Sequence, residues 1–163
     1  MSDFETHSGW MSFALEEAEK ARELGETPVG AVIVKDGRII GRGGNRVETL
    51  KDPTAHAEII AIGAAAEQTG YERLLDATIY VTLEPCTMCA GAIVLSRIPR
   101  LVYGAADPKT GACGSLYNIC RDERLNHTVE VVNGIMEPEC SALLKRFFRE
   151  IRERNADRMT IDS

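Results

Sequence analysis

The segment PCTMC places two thiols, Cys86 and Cys89, three residues apart directly after Pro85. Unpaired amides and the helix dipole at the start of a helix favour thiolates, and residues three apart share a helix face, so both sulfurs can reach one metal ion. A redox pair uses the same C-x-x-C spacing, and a structural zinc site requires four protein ligands. The sequence has no second C-x-x-C and no H-x-x-H, so a metal site here needs a ligand from another segment.

His56 is the candidate third ligand, and Glu58 follows it in the segment DPTAHAEI. In a regular helix these two side chains would point in nearly opposite directions, so we expect His56 to lie in extended backbone just before a helix, with both side chains directed inward. Three protein ligands leave the fourth zinc position for water, and Glu58 could then carry its proton. A lone histidine is usually a cap or core residue and a lone glutamate usually faces solvent. Together, however, H-x-E and P-C-x-x-C form the known signature of zinc deaminases that act on nucleobases.

The segments around these motifs predict an α/β protein with helices on both faces of a sheet. Apolar and β-branched runs predict strands at 28–34, 38–41, 77–83, 101–105 and 128–132. Helical periodicity and stop signals predict helices at 9–24, 56–68, 86–96 and 138 to about 154. A tight turn at 35–37 pairs the first two strands, and the long later connections make the later strands parallel. We therefore predict a three-layer α/β/α fold with a five-stranded mixed sheet, a single domain over 1–163 and a flexible tail at about 155–163.

Composition favours a cytoplasmic protein without a membrane partner. The N-terminal segment is acidic and shows no apolar leader, and the longest apolar stretch, 59–66, is too short to span a bilayer. The net charge of −6 argues mildly against a nucleic-acid partner. The charge is uneven, because 1–27 holds seven acids and two bases, whereas 145–158 holds six bases and three acids. On sequence alone, that basic stretch is most simply a solvated helix face.

Blocks along the whole chain occur in an order typical of one family. They are PVGAVIV, GNRVETLKDPTAHAEI, YVTLEPCTMCAGAI, SRIPRLVYGAADPKTGACGS, LNHTVEVVNGI and ECSALLKRFF. In these blocks the chain resembles the bacterial tRNA-specific adenosine deaminases of the cytidine-deaminase-like superfamily. HAE and PCxxC alone would indicate only the superfamily, whereas the DPK-G-GS loop and the C-terminal blocks indicate the tRNA enzymes. The resemblance implies the cytidine-deaminase-like form of the predicted fold.

The resemblance implies zinc-dependent hydrolysis of adenosine to inosine at the wobble position of an arginine tRNA with an ACG anticodon. His56, Cys86 and Cys89 match the ligands of one Zn²⁺ per subunit, and Glu58 matches the proton carrier. Further matches imply substrate contacts from Asn45, Val29, Asp107, Lys109, Asn126, Phe148 and Arg149. Some of these have ordinary alternatives. Asn45 could be a left-handed loop residue, Val29 part of the strand core, and Asn126 a loop cap.

Three residues in the second half of the chain, Phe147, Phe148 and Cys113, lead to further expectations. Phe147 and Phe148 cannot both face the core of one helix, so we expect one of them to be exposed and free to stack on a base. Cys113, in GACGS, stands where the family has a small apolar residue, and we expect it to be a buried filler and not a metal ligand. Cys113 is thus one departure from the family pattern. The acidity of the chain is a second, since a basic protein would be the natural RNA binder.

The implied partners are a tRNA anticodon stem-loop and a second copy of the chain. A homodimer would hold the anticodon loop near the subunit junction, to which the helix at Cys86 and the loop after Tyr103 could contribute. Flipping a base out of an anticodon loop costs less free energy than flipping one out of a duplex, so duplex DNA is not expected as a substrate. The alternatives are a free-base guanine or cytosine deaminase, a zinc-stapled RNA-binding module without catalysis, and a redox protein that uses Cys86 and Cys89.

Overall fold

A computed structural model describes residues 2–162, with side chains through residue 160. Its strands are β1 (Gly30–Lys35), β2 (Arg38–Gly44), β3 (Thr78–Leu83), β4 (Arg100–Ala105) and β5 (Glu130–Val132). Its helices are α1 (Asp3–Glu23), α2 (Val47–Leu50), α3 (Ala57–Thr69), α4 (Thr87–Leu95) and α5 (Glu137–Asp162), with a 3₁₀ turn at Ile119–Arg121. Within residues 2–162 the strands form a five-stranded sheet in the order β2-β1-β3-β4-β5.

The pairing of the strands makes the sheet mixed, as predicted. A two-residue turn at Asp36 and Gly37, with φ of 52° and 71°, joins β1 to β2 in an antiparallel hairpin. β1 is also antiparallel to β3, whereas β3, β4 and β5 run parallel to one another. Parallel strands must be joined by a long crossover connection, and the segments between β3, β4 and β5 are long enough for one.

Two apolar layers, one on each face of the sheet, hold the helices in place. Alternation along β1 directs Ala31 and Ile33 towards one layer and Val32 and Val34 towards the other. The first layer includes residues of α3 and α4, and the second includes residues of α1 and α5. The three-layer α/β/α prediction is therefore confirmed.

Close approach of α3 to the sheet depends on glycines in β2. A Cβ on Gly43 would collide with the carbonyl oxygen of Ala57, and one on Gly41 with that of Ala61. The helix backbone therefore lies directly on the strand. β2 continues to Gly44, three residues beyond the predicted end at 41, because Gly43 and Gly44 pair with Ala31 and Gly30 of β1.

The terminal helices are longer than predicted. α1 begins at Asp3 and not at residue 9, because the Ser2 hydroxyl accepts a bond from the Glu5 amide at 3.2 Å and Asp3 and Glu5 suit the helix N-terminus. α5 runs on to Asp162 because its second half contains no glycine or proline to end it. The flexible tail at about 155–163 and the single-domain assignment stay predictions, and Ser163 lies outside the described residues. Among the helices of residues 2–162, none has the length and apolar character that crossing a membrane requires.

Candidate metal and catalytic site

His56 and Glu58 reach one cavity because the chain changes from extended to helical between them. His56 has φ −76° and ψ 155°, and α3 begins at the next residue, Ala57. The His56 ring makes no capping bond, so it is available as a ligand. Both side chains line the same cavity, which confirms the expectation of an extended histidine before the helix.

Cys86 and Cys89 occupy the start of α4. Cys86 is extended, with φ −76° and ψ 179°, so the helix begins one residue later than predicted, at Thr87. Its carbonyl accepts the Ala90 amide at 2.8 Å, which closes the first turn and brings Cys89 onto the same side. Cys89 is fully buried and Cys86 is half-buried.

The three candidate ligand atoms lie at distances suited to one ion. His56 Nδ1 lies 3.6 Å from Cys86 Sγ and 3.5 Å from Cys89 Sγ, and all three atoms lie within 4.8 Å of one another. Bonds of about 2.3 Å to sulfur and about 2.0–2.1 Å to nitrogen in a tetrahedron separate S and N by about 3.5 Å. The donor set and its spacing therefore fit zinc. No other group of three potential ligands is present in the part of the chain that the structure describes.

Glu58 is a buried carboxyl beside this group, with 4% of its surface exposed. Burial raises the pKa of Glu58 to about 7, against the opposing effects of its backbone amide and of His56. A carboxyl that titrates near neutral pH can both accept and return a proton, which a general acid and base must do.

The hydrogen bond between the two thiols shifts their pKa values in opposite directions. A hydrogen bond from Cys89, followed by one from His56, lowers the pKa of Cys86 to about 3. The same bond with Cys86, followed by burial, raises the pKa of Cys89. The bond with Cys86 also raises the pKa of His56. Thiols bind a metal as thiolates, so metal binding at Cys86 and Cys89 is expected to release protons.

A cavity of about 630 Å³ opens over these groups. The predicted site residues that line it are Val29, Asn45, His56, Glu58, Cys86, Asp107 and Phe148. The Asn45 amide donates to the Val29 carbonyl at 3.1 Å, while its buried side-chain oxygen has no hydrogen-bond partner among the described residues. Phe148 is 46% exposed and Phe147 5% exposed, as the single-face argument predicted.

Three predicted contact residues lie outside this cavity, and all three are exposed: Lys109, Asn126 and Arg149. Lys109 follows the cavity residue Asp107 closely, and its amide donates to the Asp107 Oδ1 at 3.0 Å. Asn126 is farther away. Its neighbour His127 bonds the Ile98 carbonyl at 2.8 Å near the amino end of β4, whereas the cavity includes Leu83, at the carboxyl end of β3.

Comparison with known proteins places this geometry in a family. Residues 5–152 match the family model of the MafB19-like deaminases. A tRNA-specific adenosine deaminase of Haemophilus influenzae (strain ATCC 51907 / DSM 11121 / KW20 / Rd) is 57% identical over 144 residues, which are 88% of this chain and 83% of that protein. That of Bacillus subtilis (strain 168) is 52% identical over 145 residues, which are 89% of this chain and 90% of that protein. The chain belongs to the tRNA-specific adenosine deaminase family.

A solved structure supports the membership in this adenosine deaminase family. It comes from biochemical and structural studies of A-to-I editing by tRNA:A34 deaminases at the wobble position of transfer RNA. It superposes with a TM-score of 0.80 at 51% identity and covers 83% of this chain and 99% of that chain. The cytidine-deaminase-like fold that the sequence predicted is thereby confirmed.

Sequence reasoning missed two buried carboxylates that line this cavity, Glu26 and Glu84. Glu26 accepts the amides of Glu48 at 3.1 Å and Thr49 at 2.8 Å, and so holds the first turn of α2. Burial acts to raise the pKa of Glu26, but the bonds from Thr49 and Glu48 outweigh it and lower the pKa. Its place in the acidic N-terminal segment gave no signal, because the sequence does not distinguish Glu26 from the partly or fully exposed Glu16, Glu19 and Glu23 of α1.

Helix α5 adds Ile151 and Arg154 to the lining of the cavity. They follow Phe147 by four and seven residues, a spacing that predicts one helix face and could have found them. Cys113 is buried with its sulfur 3.6 Å from that of Cys120, outside the ligand group, in agreement with its prediction as a filler.

Proposed function

We propose that this chain catalyses the zinc-dependent hydrolytic deamination of adenosine to inosine in tRNA. The single observation that carries the proposal is the group of His56, Cys86 and Cys89 at tetrahedral spacing, with buried Glu58 beside it in one cavity. The names of the relatives, and the deaminases of the superposed structure, support adenosine in tRNA as the substrate.

The proposed ion is one Zn²⁺ per chain. When bound, it supplies a Lewis acid that makes water nucleophilic at neutral pH. The overall reaction adds water to adenosine and releases inosine and ammonia. Glu58 takes a proton from the attacking water and delivers it to the leaving amine, since its burial keeps it beside the reacting atoms and away from bulk solvent.

The lining residues orient the substrate. Asn45 presents a side chain whose buried oxygen is unpaired, and it forms the hydrogen bond that orients the flipped nucleoside. Val29 forms part of the wall, and exposed Phe148 stacks on a base at the rim. A volume of about 630 Å³ is in the usual range of small-ligand sites and is large enough for one nucleoside.

The target within the tRNA is proposed to be the wobble adenosine. An anticodon loop presents an already unstacked base, which lowers the flipping cost of a few kcal/mol that a duplex would impose. Asp107 contacts the loop at the cavity, and exposed Lys109, Asn126 and Arg149 contact its backbone farther out. The choice of an arginine tRNA with an ACG anticodon rests on the family resemblance, whereas the proposed cytoplasmic location rests on the composition of the chain.

The proposed working form is a homodimer. Large apolar side chains are exposed at the end of α4 and in the loop after Tyr103, where Leu95 is 77%, Tyr117 59% and Leu116 55% exposed. We expect Leu95→Glu to yield monomers in analytical ultracentrifugation, with Leu24→Glu, an exposed leucine at the end of α1, as the matched control. A Leu95→Glu protein with the sedimentation of the wild type would reject this interface.

The decisive experiment compares Glu58→Gln with Glu67→Gln, an exposed glutamate on the same helix. Each protein is loaded with zinc and incubated with an anticodon stem-loop, and inosine is mapped. Glu58→Gln is expected to lose about 10²- to 10⁴-fold in turnover while it keeps zinc and RNA binding. Glu67→Gln is expected to behave like the wild type.

The alternatives predict different results in the same assay. A free-base deaminase would release ammonia from guanine or cytosine and form no inosine in the stem-loop. A zinc-stapled RNA-binding module would bind the stem-loop without turnover, and Glu58→Gln would be silent. Either result would replace the proposed function.

A further inference from the structure

We infer that Glu84 is a positioning residue that holds the loop 106–115 in register with the segment that carries Cys86, so that Asp107 faces the substrate cavity. The inference rests on the proposed function. It assigns a role to the pattern GACGS, which the metal chemistry leaves unexplained.

The carboxylate of Glu84 collects four hydrogen bonds from this loop. Its Oε1 accepts the Asp107 amide at 3.0 Å and the Ser115 hydroxyl, and its Oε2 accepts the amides of Cys113 and Ser115, each at 3.0 Å. Only 2% of Glu84 is exposed. A buried charge is tolerated when donors surround it, and here the donors come from the two ends of one loop.

The packing of Gly111 on Glu84 is independent evidence of this arrangement. A Cβ on Gly111 would collide with the Glu84 carboxylate and with the Asp107 carbonyl. The loop backbone therefore lies directly on the carboxylate. The motif GACGS thus supplies the close approach at Gly111, an amide from Cys113, and an amide and hydroxyl from Ser115.

The strand end and the loop are also bonded through their backbones. The Glu84 amide donates to the Ala105 carbonyl, and the Ala112 amide donates to the Pro85 carbonyl, each at 2.8 Å. Cys86 follows Pro85 directly, so the candidate ligand and the loop share one hydrogen-bonded unit. A displacement of either segment would be transmitted to the other.

Asp107 connects the Glu84 carboxylate to the cavity. Its backbone is held by Glu84, while its carboxylate accepts the amides of Lys109 at 3.0 Å and Thr110 at 3.2 Å. Asp107 and Thr110 both line the cavity. The proposed contacts of Asp107 and Lys109 with the anticodon loop therefore depend on the Glu84 carboxylate, although Glu84 need not touch the RNA.

Glu84→Gln is the isosteric test, because glutamine keeps the shape but offers one acceptor oxygen, and its NH₂ group faces loop donors. Ser115→Ala is the second variant, since it removes one donor and keeps the carboxylate. Glu67→Gln is the matched control. For each zinc-loaded protein we would measure zinc per chain, amide hydrogen exchange over 106–115, and kcat and KM for an anticodon stem-loop.

Glu84→Gln is expected to keep its zinc, to exchange the loop amides faster, and to lose about 10- to 100-fold in kcat/KM. The loss should appear mainly in KM, because Asp107 and Lys109 would contact RNA in both the ground state and the transition state. Ser115→Ala should change the same quantities in the same direction by less. Rescue is expected with Glu84→Asp only in part, since the shorter side chain cannot reach all donors.

A merely structural role would lower kcat in proportion to lost zinc and leave KM and loop exchange unchanged, and that result would overturn the inference. Should Glu84→Gln fail to fold, Ser115→Ala decides the question by the same two readouts. If the wild type forms no inosine, the proposed function fails. Amide exchange of 106–115 that is unchanged in Glu84→Gln would separately refute the inference that Glu84 positions the loop.

Discussion

Replacing Gly43 with alanine tests whether the contact between β2 and α3 positions the site. The added Cβ would collide with the Ala57 carbonyl oxygen, and it would lie 2.8 Å from the Ala61 amide nitrogen and 3.0 Å from the Ile60 Cβ. Two of these three neighbours are backbone atoms, which cannot rotate away. The helix must therefore shift from the sheet, beginning at the turn that follows His56.

The expected cost follows from overpacking. Forcing an extra carbon into a packed contact destabilises by about 1–3 kcal/mol. For a chain of this size, 1 kcal/mol moves the melting temperature by about 2–4 °C, so Gly43→Ala should melt roughly 2–12 °C lower. Because the displaced turn carries His56 and Glu58, affinity for zinc should fall together with stability.

Gly63→Ala on the same helix is the matched control. A Cβ there meets nothing within 4 Å, and alanine is a better helix former than glycine by about 0.8–1.0 kcal/mol. Gly63→Ala should therefore melt slightly higher and bind zinc normally. Calorimetry and zinc titration measure both variants. A Gly43→Ala protein that melts at or above the wild-type temperature and binds zinc fully would refute the role of the contact.

Three further predictions follow from the site and its surroundings. Glu26→Gln should be less stable than the wild type, and the difference should be largest above pH 4.5 and shrink as the pH falls through the lowered pKa of folded Glu26. The reason is that a carboxyl with a lowered pKa stabilises the folded state only while it is ionised. Urea unfolding measures the difference in unfolding free energy, and a difference that does not change with pH would contradict the prediction. Chelation should abolish inosine formation and lower the melting temperature of the wild type, added Zn²⁺ should restore both, and His56→Ala should not recover; activity that resists chelators would instead favour a redox protein. Phe147→Ala should lower the unfolding free energy, but by less than the about 3–5 kcal/mol of a core phenylalanine, because the ring is buried and yet lines the cavity. Phe148→Ala should leave stability nearly unchanged but weaken binding of the stem-loop by about 1–3 kcal/mol, and equal effects of the two variants on either quantity would count against the assignment.

The metal group was predictable because its geometry is local. The helix rule excluded a helical position for His56 if Glu58 was to share its cavity, and the structure shows the extended residue that this required. The three-residue spacing of Cys86 and Cys89 was likewise enough to predict that both sulfurs lie on one side of α4, although the helix begins one residue later than predicted. Alternation and connection length similarly sufficed for the order of layers and for the parallel strands.

Glu84 and Glu26 escaped prediction because their partners lie far along the chain. Glu84 bonds residues 23 to 31 positions away, and Glu26 bonds residues 22 and 23 positions away. No local period connects such pairs, and a glutamate after a buried strand looks the same whether it is solvated or clamped by a loop. Asn126 shows a second limit of the sequence. Its match to the family predicted a substrate contact, but the match could not show that Asn126 lies away from the cavity of its own chain.

The acidity of the chain weakens as an argument against RNA once the charges are located. Net charge describes the whole molecule, whereas at physiological salt a surface charge acts over about 8 Å. On α1, Glu19 is paired with Arg22 at 2.6 Å and with Arg146 of α5 at 3.5 Å, so its negative charge is compensated locally. Arg154 lies one turn beyond Ile151 at the cavity itself. A phosphate near this end of the cavity would meet Arg154, so the net charge of −6 does not by itself exclude an RNA partner.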